Sequence, residues 1–336
     1  MTMRRARPIL IVIPLIFSGS LFAQKAGQET HRGEAAANLP ELIWRDPGDI
    51  ASLNLFSGAG GPSHAPDQHG PFTFVNEDLD GTNPKFDVKD AAGVRWRVKL
   101  GEESQTETAA SRLLWAVGYF VDEDYYFPQL TVGDLPPLHR GQKFVSPAGT
   151  IHGAGLERRP EDVKKRGHWE WFANPFLETR EEHGLRIMMA LLNNWDLKVV
   201  NNSIDEVGGE RRYVVSDLGA TFGNTGNYFT RSKGVLASYQ ASPFIAQRTE
   251  EDVDFVLHSR PFFLTIFSLH HYREYTRMEN VVRHIPRADA KWLGDRLSQL
   301  SSEQLRDCFR AAGYPPEAVE GYANAVEKRI AALNAL

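Results

Sequence analysis

Apolar and polar residues alternate strictly over residues 94–100, which is the pattern of a β-strand with one buried face. The apolar positions are Val94, Trp96, Val98 and Leu100, and the basic positions between them are Arg95, Arg97 and Lys99. Residues 85–89 predict a partner strand, because the Asp-Ala-Ala-Gly sequence at 90–93 favours a hairpin turn. A further strand is predicted at 125–132.

Helical spacing of apolar residues appears between and after these strands. Residues 106–118 and 181–194 place apolar side chains three and four positions apart, which predicts two amphipathic helices. Residues 202–217 favour a second hairpin that turns at Gly208-Gly209. From about residue 250 the pattern is mainly helical and is interrupted by prolines.

The order of these elements predicts an α+β protein in which a β-rich part precedes a mainly helical part. Residues 24–70 are rich in glycine, alanine, proline and histidine, and we interpret them as an irregular N-terminal segment. The β-rich part then spans 71–135, and the helical part spans 136–336. Hydrophobic residues make up 42 % of the 336 residues, which is enough for a large core.

Residues 1–23 have the composition of a signal peptide. Arginines lie at positions 4, 5 and 7, an apolar run covers 8–17, and Ala23 ends a stretch suited to cleavage. The apolar run is short for a bilayer span. We therefore expect an exported protein, periplasmic or secreted, with no stable membrane span after cleavage. The alternative is an uncleaved membrane anchor.

Charge and cysteine content narrow the function classes. The net charge of −5 disfavours nucleic acid as a partner. Cys308 is the only cysteine, so no internal disulfide can form, and its helical surroundings predict a buried structural thiol.

The G-x-S-x-G and H-E-x-x-H motifs are both absent, which disfavours a hydrolase. Nothing in the sequence indicates the oligomeric state.

Candidate chemistry is concentrated in residues 193–223. Asp196 precedes Asn201 by five residues, and Asp217 follows an apolar strand in the sequence Asp-Leu-Gly. The hairpin between Asn201 and Asp217 would bring these two residues close together. Amide and carboxylate oxygens suit Mg²⁺, and a carboxylate can orient an acceptor hydroxyl. Acidic residues are also common in ordinary turns, which is the alternative interpretation.

This layout resembles the catalytic loop and metal-binding motif of protein kinases, H-R-D-x-x-x-x-N followed by D-F-G. The resemblance implies a two-lobed kinase-like fold with a β-rich N-lobe and a mainly helical C-lobe. It also implies catalytic roles for Asp196 and for Lys198, which stands where many kinases place a lysine that contacts the moving phosphate. Asn201 and Asp217 would be the metal ligands.

Two further residues fit the same pattern. Lys99 ends a predicted strand on its polar face, and Glu107 lies eight residues later at the start of the next helix. A buried Lys–Glu pair would position the lysine against nucleotide phosphates. Ser104 and Glu107 also fit a capping box, in which Glu107 would bond backbone N–H groups instead. We favour the ion pair.

The sequence Gly81-Thr-Asn-Pro-Lys85 precedes the first hairpin strand and resembles the G-x-x-P-K phosphate loop of HipA-type serine/threonine kinases. The sequence 194–203 is similar to the N-x-D-x-H-x-K-N-x-S loop of that family, with Lys198 replacing its histidine and Val200 its lysine. The resemblance covers about residues 80–225. It implies a cofactor-binding role for Gly81, Lys85, Lys99 and Glu107.

We therefore interpret the chain as an atypical kinase. It would transfer the γ-phosphoryl group of Mg-ATP to a hydroxyl acceptor on a protein or a small molecule. A signal peptide would send it to a compartment poor in ATP. The alternative is therefore an exported, catalytically inactive kinase-like binding module. Nucleotidyl transfer in the same fold is a third possibility.

Overall fold

The structure is a computed structural model that describes residues 39–336 except Thr82, 225–230 and 258–268. The expected signal peptide lies outside the described residues. The strands are β1 (Glu41–Leu42), β2 (Phe72–Asp78), β3 (Lys85–Lys89), β4 (Arg95–Leu100), β5 (Asp124–Gly133), β6 (Thr150–Arg158), β7 (Lys164–Gly167), β8 (Asn202–Val207), β9 (Glu210–Val215), β10 (Ile245–Arg248), β11 (Asp252–Phe255) and β12 (Ile285–Pro286). The helices are α1 (Gly61–His64), α2 (Glu103–Ala116), α3 (Arg180–Leu192), α4 (Leu236–Ala241), α5 (Leu269–Asn280), α6 (Arg287–Leu297), α7 (Ser302–Ala311) and α8 (Pro316–Asn334).

The first part of the chain forms a closed five-stranded barrel in the order β2-β3-β4-β6-β5. Its interior is an apolar cluster in which Phe86 pairs across strands with Val98, and Val88 with Trp96. The prediction that β4 has one buried face is confirmed, because its apolar side chains fill the barrel and its basic side chains lie outside. The predicted break after residue 135 falls inside this barrel, since β6 completes it.

The outer face of the barrel carries charged residues and helix α2. Lys85 lies opposite Lys99, and Asp87 lies opposite Arg97 in the β3–β4 register. Helix α2 packs so closely on β6 that a Cβ atom at Gly155 would lie 3.0 Å from Cβ of Ser104. This close approach places the acidic side chains of α2 beside the basic face of β4.

The remaining residues form a mainly helical region with its own large hydrophobic cluster. Helix α3 is buried along most of its length, and Cys308 is buried in α7, as predicted. The hairpin of β8 and β9 turns at Gly208-Gly209, where both glycines have positive φ. The prediction of helix from residue 250 was wrong at its beginning, because β11 pairs with β10 and β12.

The segment before residue 71 is more ordered than the prediction of an irregular segment implied. Strand β1 pairs in parallel with β9, and Ile43, Ile50 and Leu55 are buried in the main cluster. Nε2 of Gln304 donates hydrogen bonds to the carbonyls of Ile50 and Leu53. Residues 39–55 are thus part of the core. Among the described helices, none is both long enough and apolar enough to cross a membrane.

Candidate active site

The amine of Lys99 leaves the outer face of β4 and ends between two carboxylates. Its Nζ lies 2.6 Å from Oε1 of Glu107 on α2 and 3.0 Å from Oε2 of Glu157 on β6. Both acidic residues are buried. The predicted Lys99–Glu107 ion pair is present. The alternative capping box is not, because α2 begins at Glu103 without a side-chain cap.

Electrostatics keep Lys99 charged. Burial alone would lower its pKa, but the nearby carboxylates, with Glu107 first, raise the pKa of Lys99 well above its ordinary value. Burial opposes ionisation of Glu157, yet Lys99 and Arg159 outweigh it and hold the pKa of Glu157 well below its usual range. Burial raises the pKa of the neighbouring Asp124 to about 8, so this carboxyl is mostly protonated at neutral pH.

The loop after α3 is held by hydrogen bonds among its own residues. Oδ1 of Asn194 accepts from the backbone N–H of Asp196 at 3.1 Å. Nδ2 of Asn201 donates to the carbonyl of Asp196 at 2.7 Å. Nζ of Lys198 lies 2.7 Å from Oδ1 of Asp196. The three predicted loop residues, Asp196, Lys198 and Asn201, therefore lie together.

The β8–β9 hairpin brings Asp217 back to Asn201, as the sequence predicted. The backbone N–H groups of Ser216 and Asp217 donate to the carbonyl of Asn201 at 2.8 and 3.3 Å. Oδ1 of Asp217 accepts from the N–H of Gly219 at 3.1 Å. Nδ2 of Asn201 donates to the carbonyl of Asp196, so Oδ1 of the same amide points away from that carbonyl. Among the described residues, neither Oδ1 of Asn201 nor Oδ2 of Asp217 has a hydrogen-bond donor.

Amide and carboxylate oxygens such as these two are of the kind that Mg²⁺ takes as ligands, and Mg²⁺ also keeps several waters. The described residues contain no group of three or more His, Cys, Asp or Glu side chains arranged for a metal. A cation here would therefore depend on Asn201 and Asp217, with water or a bound ligand supplying the remaining oxygens.

Helix α2 also contacts the segment that carries Asp217. Oγ1 of Thr106 donates to the carbonyl of Gly219 at 2.7 Å. A Cβ atom at Gly219 would lie 2.8 Å from Cβ of Glu103, so only glycine allows this approach. One helix thus positions Glu107 against Lys99 and also positions the Asp-Leu-Gly turn.

Residues 231–233 are anchored to the same region. Nε1 of Trp195 donates to the carbonyl of Ser232 at 3.0 Å, and the guanidinium of Arg231 lies 4.1 Å from the centre of the Trp195 ring. Lys233 forms an ion pair with Glu103. Trp195 therefore holds residues 231–233 through one hydrogen bond and one cation–π contact.

The predicted phosphate loop lies beside Lys99. The carbonyl of Pro84 accepts from the backbone N–H of Leu100 at 3.1 Å, and Lys85 is the cross-strand partner of Lys99. Gly81 has a φ of 70°, and its carbonyl accepts from Arg140 at 2.6 Å. The amine of Lys85 lies 3.7 Å from Asp78. The cofactor roles of Gly81 and Lys85 stay predictions.

Sequence reasoning missed several members of this site. Glu157 and Asp124 reach Lys99 only through pairing of β4 with β6 and of β6 with β5. An acidic residue within an otherwise apolar strand was the only sign of these two residues. The sequence does not show that β6 pairs with β4 and β5. Glu103 and Trp195 were adjacent to residues that we singled out, and their contacts are long-range.

Comparisons with known proteins give little further information. No family model and no curated protein matches the chain. Two similar solved structures are both of the Golgi casein kinase. The first is 12 % identical, covers 85 % of this chain and 78 % of that chain, and has a TM-score of 0.33. The second, with Mn/ADP bound, is 11 % identical, covers 80 % and 75 %, and has a TM-score of 0.30.

These similarities are too low to carry an argument about this chain. Both neighbours are kinases by name, and the comparisons give no support for HipA-type kinases specifically.

Proposed function

We propose that this chain is an atypical kinase with a two-lobed fold, in which the barrel and α2 form the N-lobe and the helical region forms the C-lobe. It would transfer the γ-phosphoryl group of ATP to a hydroxyl acceptor. The observation that carries this proposal is the buried Lys99–Glu107 ion pair together with Asp217, which lies near enough to Lys99 to influence its pKa. Kinases need both features in place at once.

Lys99 is the best candidate to bind the nucleotide phosphates. The carboxylates around it raise its pKa well above the ordinary value, and Glu107 and Glu157 fix its amine in position. Lys85 lies opposite Lys99, and a Cβ atom at Gly81 would lie 3.6 Å from Nζ of Lys85, so both residues would extend the phosphate site. This arrangement would place the polyphosphate along the outer face of β3 and β4.

The charge balance of the site favours ATP only when it is accompanied by a divalent cation. Glu107, Glu157 and Asp217 lie near Lys99, so bare ATP would meet unfavourable negative charge. Asn201 and Asp217 offer the oxygens that would hold Mg²⁺. When bound, the cation would neutralise phosphate charge and favour departure of the diphosphate.

Asp196 is the candidate to orient the acceptor. Its carboxylate is partly exposed and contacts Lys198, while its backbone is held by Asn194 and Asn201. In the proposed transfer, the acceptor oxygen forms a bond to the γ-phosphorus as the bond to the β–γ bridging oxygen breaks. The acceptor proton passes to Asp196, and Lys198 would contact the transferred group. A hydroxyl on a protein is the acceptor that we favour, and export of the enzyme is part of the proposal.

One observation favours the second candidate, an inactive kinase-like binding module. Glu157 adds a second carboxylate to Lys99 and could prevent phosphate from reaching the amine. An inactive module would keep the fold and the ion pairs but would not turn over ATP.

Incubation of the mature protein with [γ-³²P]ATP and MgCl₂, with and without added protein acceptors, tests the proposal. We expect label on the chain itself or on an acceptor, and an Asp196→Asn variant should transfer at least 100-fold less. A matched Asp295→Asn variant, exposed on α6, should transfer normally. Absence of transfer by the unsubstituted protein would favour the inactive module.

A further inference from the structure

A small pocket lies directly beside the candidate catalytic loop. Residues 197–199 form one of its walls, and they immediately follow Asp196, the candidate to orient the acceptor. Residues 171–172 before α3 and residues 277–281 at the end of α5 contribute the other walls. Nζ of Lys198 lies 2.7 Å from Oδ1 of Asp196. The same side chain therefore belongs to the pocket wall and contacts the carboxylate of Asp196.

The size of the pocket suits one side chain rather than a whole small molecule. Its volume is about 130 Å³. Small-molecule sites typically have volumes of about 300–1,000 Å³, so this pocket is too small for a nucleotide or a sugar. One side chain of a polypeptide is the kind of group that it can enclose. The pocket thus favours a protein over a small molecule as the acceptor.

Apolar side chains form most of the pocket wall. Phe172 keeps 39 % of its surface exposed, and Val199 is only partly buried, so a bound group can contact both. Met278 and Val281 line the opposite side and are more deeply buried. An apolar side chain that enters the pocket would leave water and gain these contacts.

The ring of Phe172 is fixed by contacts within the chain. The guanidinium of Arg186 lies 5.5 Å from the centre of this ring, and that of Arg277 lies 5.9 Å from it. Arg186 is itself buried, and it donates to Oε1 of Glu182 at 2.6 Å and to the carbonyl of Trp171 at 3.0 Å. A wall that is already ordered loses little conformational entropy when a ligand binds.

The two cations in the pocket wall each have a carboxylate partner. Lys198 contacts Asp196, and Arg277 forms an ion pair with Glu170. Among the described residues, no acidic side chain lines the pocket. An acidic group would have to compete with Asp196 or Glu170 for its cation, whereas an apolar group leaves both ion pairs intact. The lining therefore favours an uncharged, apolar occupant.

A more open depression continues from the pocket along α5. Phe172 and Arg277 border both, and Tyr272 and Thr276 line the open part. Tyr272 is 51 % exposed. The backbone of an acceptor polypeptide could lie along this depression while one of its side chains enters the pocket.

We propose that this pocket selects a protein acceptor by binding an apolar side chain close in sequence to the residue that is phosphorylated. This inference rests on the proposed kinase activity and names the substrate class of the same site. An extended chain advances about 3.3 Å per residue. With the acceptor hydroxyl at Asp196, a leucine or methionine within about three residues of it can reach a pocket whose wall begins at Leu197.

Transfer to synthetic peptides tests the inference. Each peptide has a central serine among alanines, with leucine at one flanking position, and the comparison peptide has no leucine. With the mature protein, [γ-³²P]ATP and MgCl₂, we expect leucine at one position to raise kcat/KM by about tenfold or more, mainly through a lower peptide KM. Aspartate at that position should give no increase.

Two variants assign the effect to the pocket. Phe172→Ala removes its exposed aromatic wall and should abolish most of the advantage of the leucine peptide. Met278→Ala enlarges the pocket from the side of α5 and should shift the preference from leucine towards phenylalanine, so the test does not depend on one variant folding. Phe56→Ala is the matched control, because it removes an exposed phenylalanine that does not line the pocket, and it should change neither result.

Equal kcat/KM for the leucine and alanine peptides, or a preference for aspartate, would overturn the inference and leave the kinase activity standing. A leucine advantage that persists in both pocket variants would also overturn it. Absence of label on every peptide and on the chain itself would contradict the proposed function instead. Fluorescence anisotropy with labelled peptides then decides the pocket, because binding of the leucine peptide that is lost in Phe172→Ala supports it and absence of binding rejects it.

Discussion

The carboxylate of Glu107 lies 2.6 Å from the amine of Lys99, and this contact joins the first helix of the site to the basic face of the barrel. The same helix contacts the Asp-Leu-Gly turn through Thr106 and Gly219. Displacement of α2 would therefore separate Lys99 from its carboxylate and move Asp217 as well.

Replacement of Glu107 by Gln should lower phosphotransfer more than tenfold, because Lys99 would lose the carboxylate that positions it from α2. Glu157 remains beside the amine, so the charge is not left unpaired. We expect the free energy of unfolding to fall by about 1–3 kcal/mol, less than for complete loss of a buried ion pair. Urea unfolding and transfer rates measure the two effects. Glu102→Gln, on an exposed residue just before the helix, should change neither.

Gly219→Ala should destabilise the protein and weaken cation binding. The added Cβ would lie 2.8 Å from Cβ of Glu103, so either α2 or the turn that carries Asp217 must shift. Overpacking of this kind typically costs about 1–3 kcal/mol. Gly133→Ala is the control, because its Cβ would meet only the carbonyl of Phe72 at an ordinary 3.5 Å. Equal melting temperatures and equal Mn²⁺ affinities in the two variants would contradict the close approach.

Asp124 should make the stability of the protein fall as pH rises from about 4 to about 8. Burial raises its folded-state pKa to about 8 from an ordinary value of 3.8, so the folded state binds more protons than the unfolded state in this window. Stability from this group is complete below the ordinary pKa and is lost as pH approaches 8. An Asp124→Asn variant should lose less stability between pH 5 and pH 8 in urea unfolding. An unchanged pH slope would show that Asp124 is ionised in the folded protein.

Trp195→Ala should release residues 231–233, because their backbone hydrogen bond and the Arg231 contact both depend on the indole ring. Trypsin cleaves after arginine and lysine, so cleavage at Arg231 and Lys233 should become faster. Trp195→Phe keeps a ring but loses the Nε1 donor and should give an intermediate rate. Identical cleavage of all three proteins would mean that contacts other than those of Trp195 hold this segment, among them the Lys233–Glu103 ion pair and the hydrogen bond from the N–H of Asn224 to Oγ of Ser232.

Local features of the site were predictable from the sequence, and long-range features were not. The spacing of Asp196 and Asn201, the hairpin that returns to Asp217, and the Lys99–Glu107 pair all involve residues close in the chain. Short spacing and strand alternation determine such contacts directly. The sequence placed the start of α2 three residues late, since its first turn is polar and carries no apolar signal.

The contacts of Glu157 with Lys99 and of β1 with β9 were not predictable in the same way. Each joins segments that are more than 50 residues apart, and a single sequence carries no register between them. The composition of residues 24–70 predicts an irregular segment, and residues 39–55 are part of it. It is buried because Ile43, Ile50 and Leu55 meet the helical core, which composition does not show.

The central claim is that Lys99, Asn201 and Asp217 together bind Mg-ATP. Thermal or chemical unfolding with ATP and MgCl₂, each alone and combined, tests it most directly. We predict stabilisation by the combination only, reaching about 2.7 kcal/mol at a ligand concentration of about 100 times the Kd. An Asp217→Asn variant should unfold like the unsubstituted protein without ligand and should gain nothing from Mg-ATP. No stabilisation of the unsubstituted protein, or equal stabilisation of both proteins, would contradict the account.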